Sequence, residues 1–142
     1  MSAPSPPPSA GTIEVRVRYV ECDPMGVAHH SAFAVWFEMG RTELLRRSSD
    51  VPYRRLESEG VFFAVTRLDV RFRRPARYDD VLTLHTRITG TGRAKIEHGY
   101  ELYRDAELIA TASTTVACLD RNGRPQPLPE ALAQWADAAA AP

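Results

Sequence analysis

Residues Ser31 to Arg46 read SAFAVWFEMGRTELLR, and the large apolar side chains in this stretch recur every three or four positions. That spacing places them along one side of an α-helix, whereas Glu38, Arg41 and Glu43 fall on other faces. The apolar set consists of Phe33, Trp36, Phe37, Gly40, Leu44 and Leu45. The pattern predicts a helix of about four turns. Its aromatic residues predict that the helix is buried and wrapped by a larger surface.

Alternation of apolar and charged residues, which is typical of strands with one buried face, flanks this helix on both sides. One alternating segment precedes the helix, at Ile13 to Tyr19, and further segments follow Gly60. These lie at 62–72, 82–88, 96–102 and 108–119, with turn residues between them that include Gly90-Thr91-Gly92. The links are too short for parallel crossovers, so the strands should form an antiparallel sheet. We predict the α+β hot-dog fold, a curved antiparallel five-stranded sheet wrapped around a long central helix.

The chain has 142 residues, a length that suits one domain with a substantial core. Residues Met1 to Gly11, MSAPSPPPSAG, carry no charged side chain and almost nothing large to bury, so we expect a disordered tail. Residues 12–142 are expected to form a single domain. It should end in a short helix from about Pro129 to Ala138, anchored by Leu132 and Trp135.

Charge and cysteine content exclude several classes of protein. Eighteen Lys and Arg residues balance eighteen Asp and Glu residues, and no basic run indicates a nucleic-acid binder. Cys22 and Cys118 lie far apart without a CxxC pair, which argues against a disulfide framework and predicts a reducing, cytoplasmic location. Charged residues interrupt every apolar run before the ~18 residues of a membrane span, so none is expected.

Residues Glu21 to His30, ECDPMGVAHH, join the first strand to the helix and concentrate carboxylates, a thiol and two imidazoles. A helix N-terminus presents unpaired N–H groups and partial positive charge, which stabilise negative charge on a carbonyl oxygen. Gly26 allows close backbone approach, so Asp23 could attack such a carbonyl or activate water against it. The alternative is that Asp23 only forms a turn and that Ser31 or His30 caps the helix.

Nucleophilic and metal sites in the same segment have less support. The chain lacks GxSxG, HExxH and phosphate-loop motifs. Cys22 with His29 or His30 is the alternative nucleophilic dyad, although a continued strand would point Cys22 away from Asp23. Glu21, Asp23 and the two histidines lack the spacing of metal ligands, so no metal is expected.

Polar residues elsewhere fall within strands or beside a turn. His85 and His98 lie in mid-strand, where we expect satisfied sheet residues without a catalytic role. Arg93 and Lys95 follow the Gly90-Thr91-Gly92 turn, where the fork of an Arg side chain could hold a phosphate. The alternative is an ordinary solvated hairpin.

The run RYVECDPMGVAHHSAFAVWFEMGRTELLR, from Arg18 to Arg46, resembles the 4-hydroxybenzoyl-CoA thioesterase and YbgC-like acyl-CoA thioesterases of the hot-dog superfamily. A second run, PARYDDVLTLHTRI from Pro75 to Ile88, is similar to the third-strand region of the same family. The resemblance covers nearly everything between Ile13 and Leu119. It implies an acyl-CoA thioester hydrolase that needs no cofactor.

The resemblance also implies catalytic roles for individual residues. The D-x-x-G motif of the family matches Asp23 and Gly26, which makes Asp23 the nucleophile or general base. The residue that starts the central helix, seven positions after Asp23, is His30, and its backbone N–H would polarise the thioester carbonyl and stabilise the oxyanion. His29 stands where relatives often carry Tyr, at a position connected with the acyl pocket.

Binding roles and assembly follow from the same resemblance. Relatives bind the CoA nucleotide with basic residues near the third-to-fourth-strand turn, which implies Arg93 and Lys95. Phe63 and Val65 are expected to line the acyl pocket. Aromatic, short-chain and long-chain acyl groups are all compatible with these residues. Family members form dimers with sites at the subunit boundary, so a homodimer or homotetramer is expected.

Other activities remain as alternatives. The hot-dog enoyl-CoA hydratases place a His five positions after their Asp, where this chain has Ala28, so hydration is disfavoured. An acyl carrier protein could replace CoA as the carrier of the acyl group. A non-catalytic protein that keeps the acyl-CoA groove is the alternative from another class, and the intact Asp23 argues against it.

Overall fold

The computed structural model describes residues 9–47 and 53–133. In chain order its elements are β1 (Ala10–Arg16), a 3-10 turn (Tyr19–Glu21), α1 (His30–Arg46), α2 (Tyr53–Ser58), β2 (Phe62–Phe72), β3 (Val81–Gly92), β4 (Lys95–Arg104), β5 (Glu107–Leu119) and α3 (Glu130–Ala133). The strands of these ranges form one antiparallel sheet in the order β1-β3-β4-β5-β2. The predicted α+β arrangement, a five-stranded sheet with one long helix, is confirmed.

Helix α1 matches the predicted helix and begins one residue earlier, at His30. Its buried residues are Ala32, Phe33, Trp36, Phe37, Gly40, Leu44 and Leu45. Gly40 marks the closest approach to β3, because a Cβ there would lie 2.4 Å from the Thr86 Oγ1 and 2.9 Å from the Leu84 Cδ2. The missing side chain of Gly40 therefore lets the helix lie directly on the sheet.

Buried apolar side chains of the described residues form two clusters along α1. The first includes Phe33 and Phe37 from the N-terminal half of the helix, and the second includes Leu44 and Leu45 from its C-terminal half. The sheet carries buried polar side chains at the level between them. We call this group the polar layer, and it consists of Thr86, His98, Thr114 and the hydroxyl of Tyr100. The Arg41 Nη1 donates to the Tyr100 hydroxyl (3.0 Å), which lies 2.7 Å from the Thr114 Oγ1.

The first strand has different limits from those predicted. β1 begins at Ala10, so Ala10 and Gly11 of the expected tail pair with β3, and the Ile88 N–H donates to the Ser9 carbonyl. At the other end β1 ends at Arg16 and the chain turns, which leaves Tyr19 81% exposed. Its predicted place on the buried face is therefore wrong. Residues 1–8 lie outside the described residues, and the division into a tail and a domain stays a prediction.

The turn between the third and fourth strands is also displaced. Gly90 and Gly92, predicted as turn residues, belong to β3, and Arg93 and Ala94 form the turn. A β-bulge after Ile88 shifts the pairing with β4 by one residue. With the extra residue, β3 continues through Gly90 and ends at Gly92.

β2 is an edge strand, since it pairs with β5 alone among the described strands. A bulge between Val65 and Arg67 interrupts its pairing, and Val65 and Leu68 are left 49% and 44% exposed. Phe62, Ala64, Leu68, Val70 and Phe72 share one parity in the sequence, which predicts one buried face. The exposure of Leu68 shows that this prediction is wrong for one copy of the chain. A long edge strand with exposed apolar residues is therefore available for pairing.

The C-terminal part is described only as far as Ala133. α3 spans Glu130–Ala133 and buries Leu132 in the second cluster, as predicted. Trp135 and the rest of the predicted helix lie outside the described residues. None of the helices in residues 9–47 and 53–133 is long and apolar enough to cross a membrane.

Candidate functional site

The segment before α1 folds into a tight hairpin that carries Asp23. The Asp23 N–H donates to the Val27 carbonyl and the Gly26 N–H to the Asp23 carbonyl, both over 2.9 Å. Gly26 has a φ of +78°, a left-handed conformation that glycine adopts without strain. The His29 N–H donates to the Glu21 carbonyl (2.7 Å), which ties the hairpin to the start of α1.

The two oxygens of the Asp23 carboxylate have different roles, since among the described residues one accepts backbone hydrogen bonds and the other does not. Oδ1 accepts hydrogen bonds from the N–H groups of Met25 (2.9 Å) and Val27 (3.4 Å). Oδ2 accepts none from any described residue, and the side chain is only half-buried. The turn that was the alternative to catalysis is therefore present, yet it occupies one oxygen and leaves the other able to reach a ligand.

His29 caps helix α1, in place of Ser31 or His30. Its Nδ1 accepts from the Ser31 N–H (3.2 Å) and lies 2.8 Å from the Ser31 Oγ. Because the Ala32 N–H binds the His29 carbonyl, the His30 N–H is the first-turn donor without a partner among the described residues. Helix α1 has 17 residues, and its dipole adds partial positive charge at that N–H. The helix start therefore offers one free donor for an anionic oxygen.

Glu21 braces this arrangement from the interior. Its carboxylate accepts from the Trp36 indole N–H (2.9 Å) and from the Arg18 backbone N–H (2.8 Å), and the residue is buried. Burial alone raises a carboxyl pKa, but the hydrogen bonds from Arg18 and Trp36 outweigh it and hold the pKa of Glu21 below its usual value. The sequence pattern indicated Glu21 only as a candidate metal ligand, because no spacing rule connects it with Trp36.

A cavity of about 280 Å³ opens beside the start of α1. His30, Phe33 and Phe72 line it together with Arg73 and Arg74 from the end of β2. The Arg73 side chain has no ion-pair partner in the part of the chain described here, while Arg74 lies 3.9 Å from the Glu107 carboxylate. Neither arginine was predicted as a site residue from the sequence, although the pair Arg73-Arg74 stands directly before the family-like PARYDD motif.

Arg93 and Lys95 lie at the other end of the fold. The Arg93 carbonyl accepts from the Leu128 N–H (2.8 Å), and Leu128 belongs to the cluster around the C-terminal half of α1. The Lys95 Nζ lies 3.5 Å from a Glu97 carboxylate oxygen. One copy of the chain therefore does not bring these cations to Asp23, and their role in CoA binding stays a prediction.

Phe63 and Val65 line a second and larger cavity, of about 470 Å³. Arg41 and Leu45 of α1 also line it, so it lies along the C-terminal half of the helix. Eleven residues separate His30 from Arg41, which at ~1.5 Å per residue is roughly 16 Å along the helix. The hairpin thus unites Asp23, Gly26, His29 and His30, whereas the predicted acyl-pocket residues lie apart from them within one copy.

The two cysteines occupy different surroundings. The Cys22 Sγ lies 3.6 Å from the Arg18 carbonyl and packs beside the first cluster. Burial raises the pKa of the Cys118 thiol, which disfavours its reactive thiolate form. Within residues 9–47 and 53–133, no group of three His, Cys, Asp or Glu side chains converges as metal ligands.

The two mid-strand histidines differ from each other. The His85 Nδ1 lies 3.0 Å from the Thr12 Oγ1, as expected of a satisfied sheet residue. His98 is buried, yet its Nδ1 has no hydrogen-bond partner in the described part of the chain. Burial, helped by the Arg41 charge, lowers the pKa of His98 to about 3. The expectation that His98 is satisfied is wrong for Nδ1, and the hydroxyl of its cross-strand neighbour Thr114 lies 2.7 Å from the Tyr100 hydroxyl instead.

Comparison with known proteins gives consistent results. The model of the Thioesterase-like superfamily matches residues 17–136. Bacillus subtilis YneP is 32% identical over 124 residues, which cover 86% of this chain and 89% of YneP. The acyl-CoA thioester hydrolase YbgC of Escherichia coli is 31% identical over 120 residues, covering 83% of this chain and 89% of YbgC. The crystal structure of DHNA-CoA thioesterase from Staphylococcus aureus superposes with a TM-score of 0.82 at 27% identity, over 91% of this chain and 87% of that one.

Proposed function

Because this chain belongs to the Thioesterase-like superfamily, we propose that it hydrolyses an acyl-CoA thioester and that Asp23 and the His30 N–H carry the reaction. The observation that carries this proposal is the His30 N–H at the start of α1, which has no partner in residues 9–47 and 53–133 and lies next to a hairpin whose Asp23 keeps one oxygen free of them. Its relatives include the acyl-CoA thioester hydrolase YbgC, which supports CoA as the carrier.

The proposed chemistry is addition to the thioester carbonyl and loss of CoA thiolate. The His30 N–H donates to the carbonyl oxygen as it becomes negative, and the helix dipole adds to this stabilisation. Asp23 either attacks the carbonyl carbon to form an anhydride, which water then cleaves, or removes a proton from the attacking water. In both routes one water is consumed, the C–S bond breaks, and the products are a carboxylic acid and CoA thiol.

We place the CoA phosphates near Arg73 and Arg74. Both line the cavity that contains His30, and Arg73 has no ion-pair partner among the described residues. An arginine fork suits bidentate contact with phosphate. Arg93 and Lys95 stay as predicted contacts that could act only from another copy of the chain.

We also propose that a dimer completes the site, through pairing of two β2 edges. A twofold axis near Arg67, the middle of β2, sets Phe63 opposite the partner's Arg71. Phe72 contacts Phe33 in the first turn of α1, with ring centroids 4.9 Å apart. The larger cavity of one copy, lined by Phe63 and Val65, would then adjoin the helix start of the other.

The release of free CoA thiol from benzoyl-, short-chain and long-chain acyl-CoAs tests the reaction. Asp23→Asn should lower kcat/KM by about two orders of magnitude or more, a loss typical of removing a catalytic group. Its fold should persist, because the amide oxygen can still accept from the N–H groups of Met25 and Val27. Cys22→Ala is the matched control and should retain activity.

Two outcomes would contradict the proposal. Equal activity of Asp23→Asn and the wild type, with loss in Cys22→Ala, would assign the chemistry to the thiol. No turnover of any acyl-CoA by the folded wild type would favour an acyl carrier protein substrate or a binding protein, which the same assay on acylated carrier protein distinguishes.

A further inference from the structure

The link between β2 and β3, residues 73–80, lies against the candidate site, and its first four residues line the cavity beside the start of α1. Its Ala76 carbonyl accepts from the Ala28 N–H (2.7 Å), and an antiparallel β-bridge joins Arg77 to Val27. Ala28 lies two residues before α1 begins, and Val27 belongs to the hairpin that precedes the helix. The position of this β2–β3 link therefore sets the position of the hairpin and of the helix start.

The two ends of the β2–β3 link are fixed by backbone hydrogen bonds to β5 and to the residue after β1. The N–H groups of residues 73–74 both donate to the Ile109 carbonyl (2.8 and 3.1 Å), and the Asp79 N–H donates to the Val17 carbonyl (3.0 Å). Asp79 has a φ of +68°, a left-handed conformation that needs support from its surroundings in a residue other than glycine. Side chains hold the middle of the link, residues 75–77.

Arg104, the last residue of β4, supplies these side-chain contacts. Its Nη1 donates to the Pro75 carbonyl (3.2 Å) and to the Asp80 Oδ2 (2.6 Å), and its Nη2 donates to the Glu107 carboxylate. The Asp80 Oδ2 also accepts from the Arg77 N–H (2.8 Å). One planar guanidinium therefore reaches the link both directly and through Asp80.

The contact between Arg104 and Asp80 is partly shielded from water. Their side chains are 27% and 22% exposed, whereas those of the neighbouring ion pair between Arg16 and Asp79 are mostly exposed. Solvent and salt weaken a shielded charge pair less than an exposed one, and a short charge-assisted hydrogen bond has a definite geometry. This contact is therefore suited to fixing the position of the link.

We propose that Arg104 is a positioning residue for thioester hydrolysis, which keeps the His30 N–H and Asp23 in place through the β2–β3 link. The inference rests on the proposed function. The guanidinium binds the link, so its effect on the reaction passes through the hydrogen bond between Ala76 and Ala28. A displacement of about 1 Å at a catalytic group can cost ~10²-fold in rate, so a contact outside the site can still control kcat.

Amide hydrogen exchange, followed by NMR, tests this contact without any substrate. Arg104→Met removes the guanidinium and keeps a long unbranched side chain. The protection of the Ala28 N–H against exchange should fall by about tenfold or more, while amides in the middle of β4 keep theirs. Arg87→Gln is the matched control, because it removes an ion pair with Glu101 across β3 and β4 and should leave Ala28 unchanged.

Hydrolysis of acyl-CoA then connects the contact to the reaction. In Arg104→Met, kcat should fall about ten- to hundredfold while KM changes less than about threefold, since a displaced His30 N–H weakens interactions of the transition state more than those of the bound substrate. An acyl-pantetheine, which lacks the nucleotide phosphates, should show the same loss in kcat. Arg87→Gln should retain wild-type kcat and KM.

Two further variants keep the inference testable. In an Asp80→Ala background, Arg104→Met should lower kcat by less than about threefold more, because both residues act through one contact. If Arg104→Met does not fold, Arg104→Lys takes its place. An ammonium group can pair with Asp80 or with Glu107 but cannot span both, so Ala28 protection and kcat should fall in the same direction by a smaller factor.

The two measurements separate failure of this inference from failure of the proposed function. Equal loss of protection at Ala28 and in the middle of β4 would assign Arg104 to general stability and overturn the inference. Unchanged kcat in a variant that has lost Ala28 protection would also overturn it. Selective loss of Ala28 protection, with no hydrolysis of any acyl-CoA by the wild type, would overturn the proposed function and with it the role of Arg104 in hydrolysis.

Discussion

The backbone N–H of His30 can be removed without removing the helix that carries it. His30 is the first residue of α1, a position where proline is well tolerated, and His29 before it has the extended conformation that precedes proline readily (φ −65°, ψ 145°). His30→Pro should therefore fold and lose about 10²–10³ in kcat, as expected for one oxyanion donor. Thiol release and circular dichroism measure the two effects.

His30→Ala is the comparison for that variant, since it removes the imidazole and keeps the N–H. Its kcat should stay within about tenfold of the wild-type value. A factor of ten corresponds to roughly 1.4 kcal/mol, which we take as the upper limit for the contribution of the imidazole. Equal losses in His30→Pro and His30→Ala would show that the imidazole, and not the N–H, is the important group.

His98 makes stability depend on pH in a definite direction. Its folded pKa is about 3, whereas the ordinary histidine value is 6.5. As pH falls from 6.5 toward 3, the histidine is protonated in the unfolded chain but stays neutral in the folded chain. The free energy of unfolding therefore decreases by ~1.4 kcal/mol per pH unit. Urea denaturation at pH 7 and pH 5 should show this slope in wild type. In His98→Phe, the dependence of the free energy of unfolding on pH should be smaller by the contribution of about one proton. Identical slopes in the variant and the wild type would contradict the burial of a neutral His98.

At the residue scale, sequence patterns indicated Asp23, Gly26 and the helix start as candidate site residues, and the structure brings them together because they lie within one short segment. They did not predict the contact of Glu21 with Trp36 or the unpartnered Nδ1 of His98, since Trp36 is 15 positions from Glu21 and the surroundings of His98 come from three strands and a helix. Such contacts depend on packing, which has no local period. The capping role of His29 was also missed, because Ser31 is the more usual capping residue type.

At the scale of elements, Gly40 fixes how closely α1 approaches β3. Gly40→Ala would place a methyl group 2.4 Å from the Thr86 Oγ1 and should destabilise the fold by roughly 1–3 kcal/mol. Helix propensity alone predicts the opposite, a gain of about 1 kcal/mol. The free energy of unfolding in urea decides between them.

The double variant Gly40→Ala with Thr86→Ala provides the check on that mechanism. Removal of Oγ1 relieves the closest contact, while the Leu84 Cδ2 stays at 2.9 Å. The pair should therefore lose less stability than the sum of the two single variants, which is the signature of directly coupled sites. Strict additivity would mean that the helix shifts instead.

Elements whose apolar residues follow a clear period were predicted well, whereas the buried face of the edge strand and the position of one turn were not. The α1 pattern predicted its buried face and, to within one residue, its start, because burial on one face maintains a period of 3.6 residues. β2 lost its predicted face after Val65, since a bulge breaks the period of two and an edge strand has a solvent-exposed side in one copy. The turn predicted at Gly90-Thr91-Gly92 lies instead at Arg93, because a bulge in β3 shifts its pairing with β4 by one residue.

For the whole molecule, the exposed edge of β2 predicts an assembly. Leu68→Lys replaces an apolar side chain of the proposed β2–β2 interface with a charged one, which is costly to bury without a partner of opposite charge. We expect a shift from dimer to monomer in analytical ultracentrifugation at micromolar concentration. Activity should fall with the dimer although Asp23 is unchanged.

Val81→Lys is the matched control for that substitution, because Val81 is 39% exposed at the start of β3, away from β2. It should leave the dimer intact. A monomeric wild type with full thioesterase activity would contradict both the interface and the composite site. The sequence predicted an oligomer but not its contact surface, since only the sheet order shows that β2 is an edge.

The polar layer also bears on how this fold can diversify. It separates the packing around Phe33 and Trp36 from that around Leu44 and Leu45, so substitutions in the two clusters should change stability almost independently. Residues beside the larger cavity can then vary in size and polarity without disturbing the hairpin that holds Asp23. A lineage could in this way exchange one substrate range for another by small steps, each of which preserves the reaction itself.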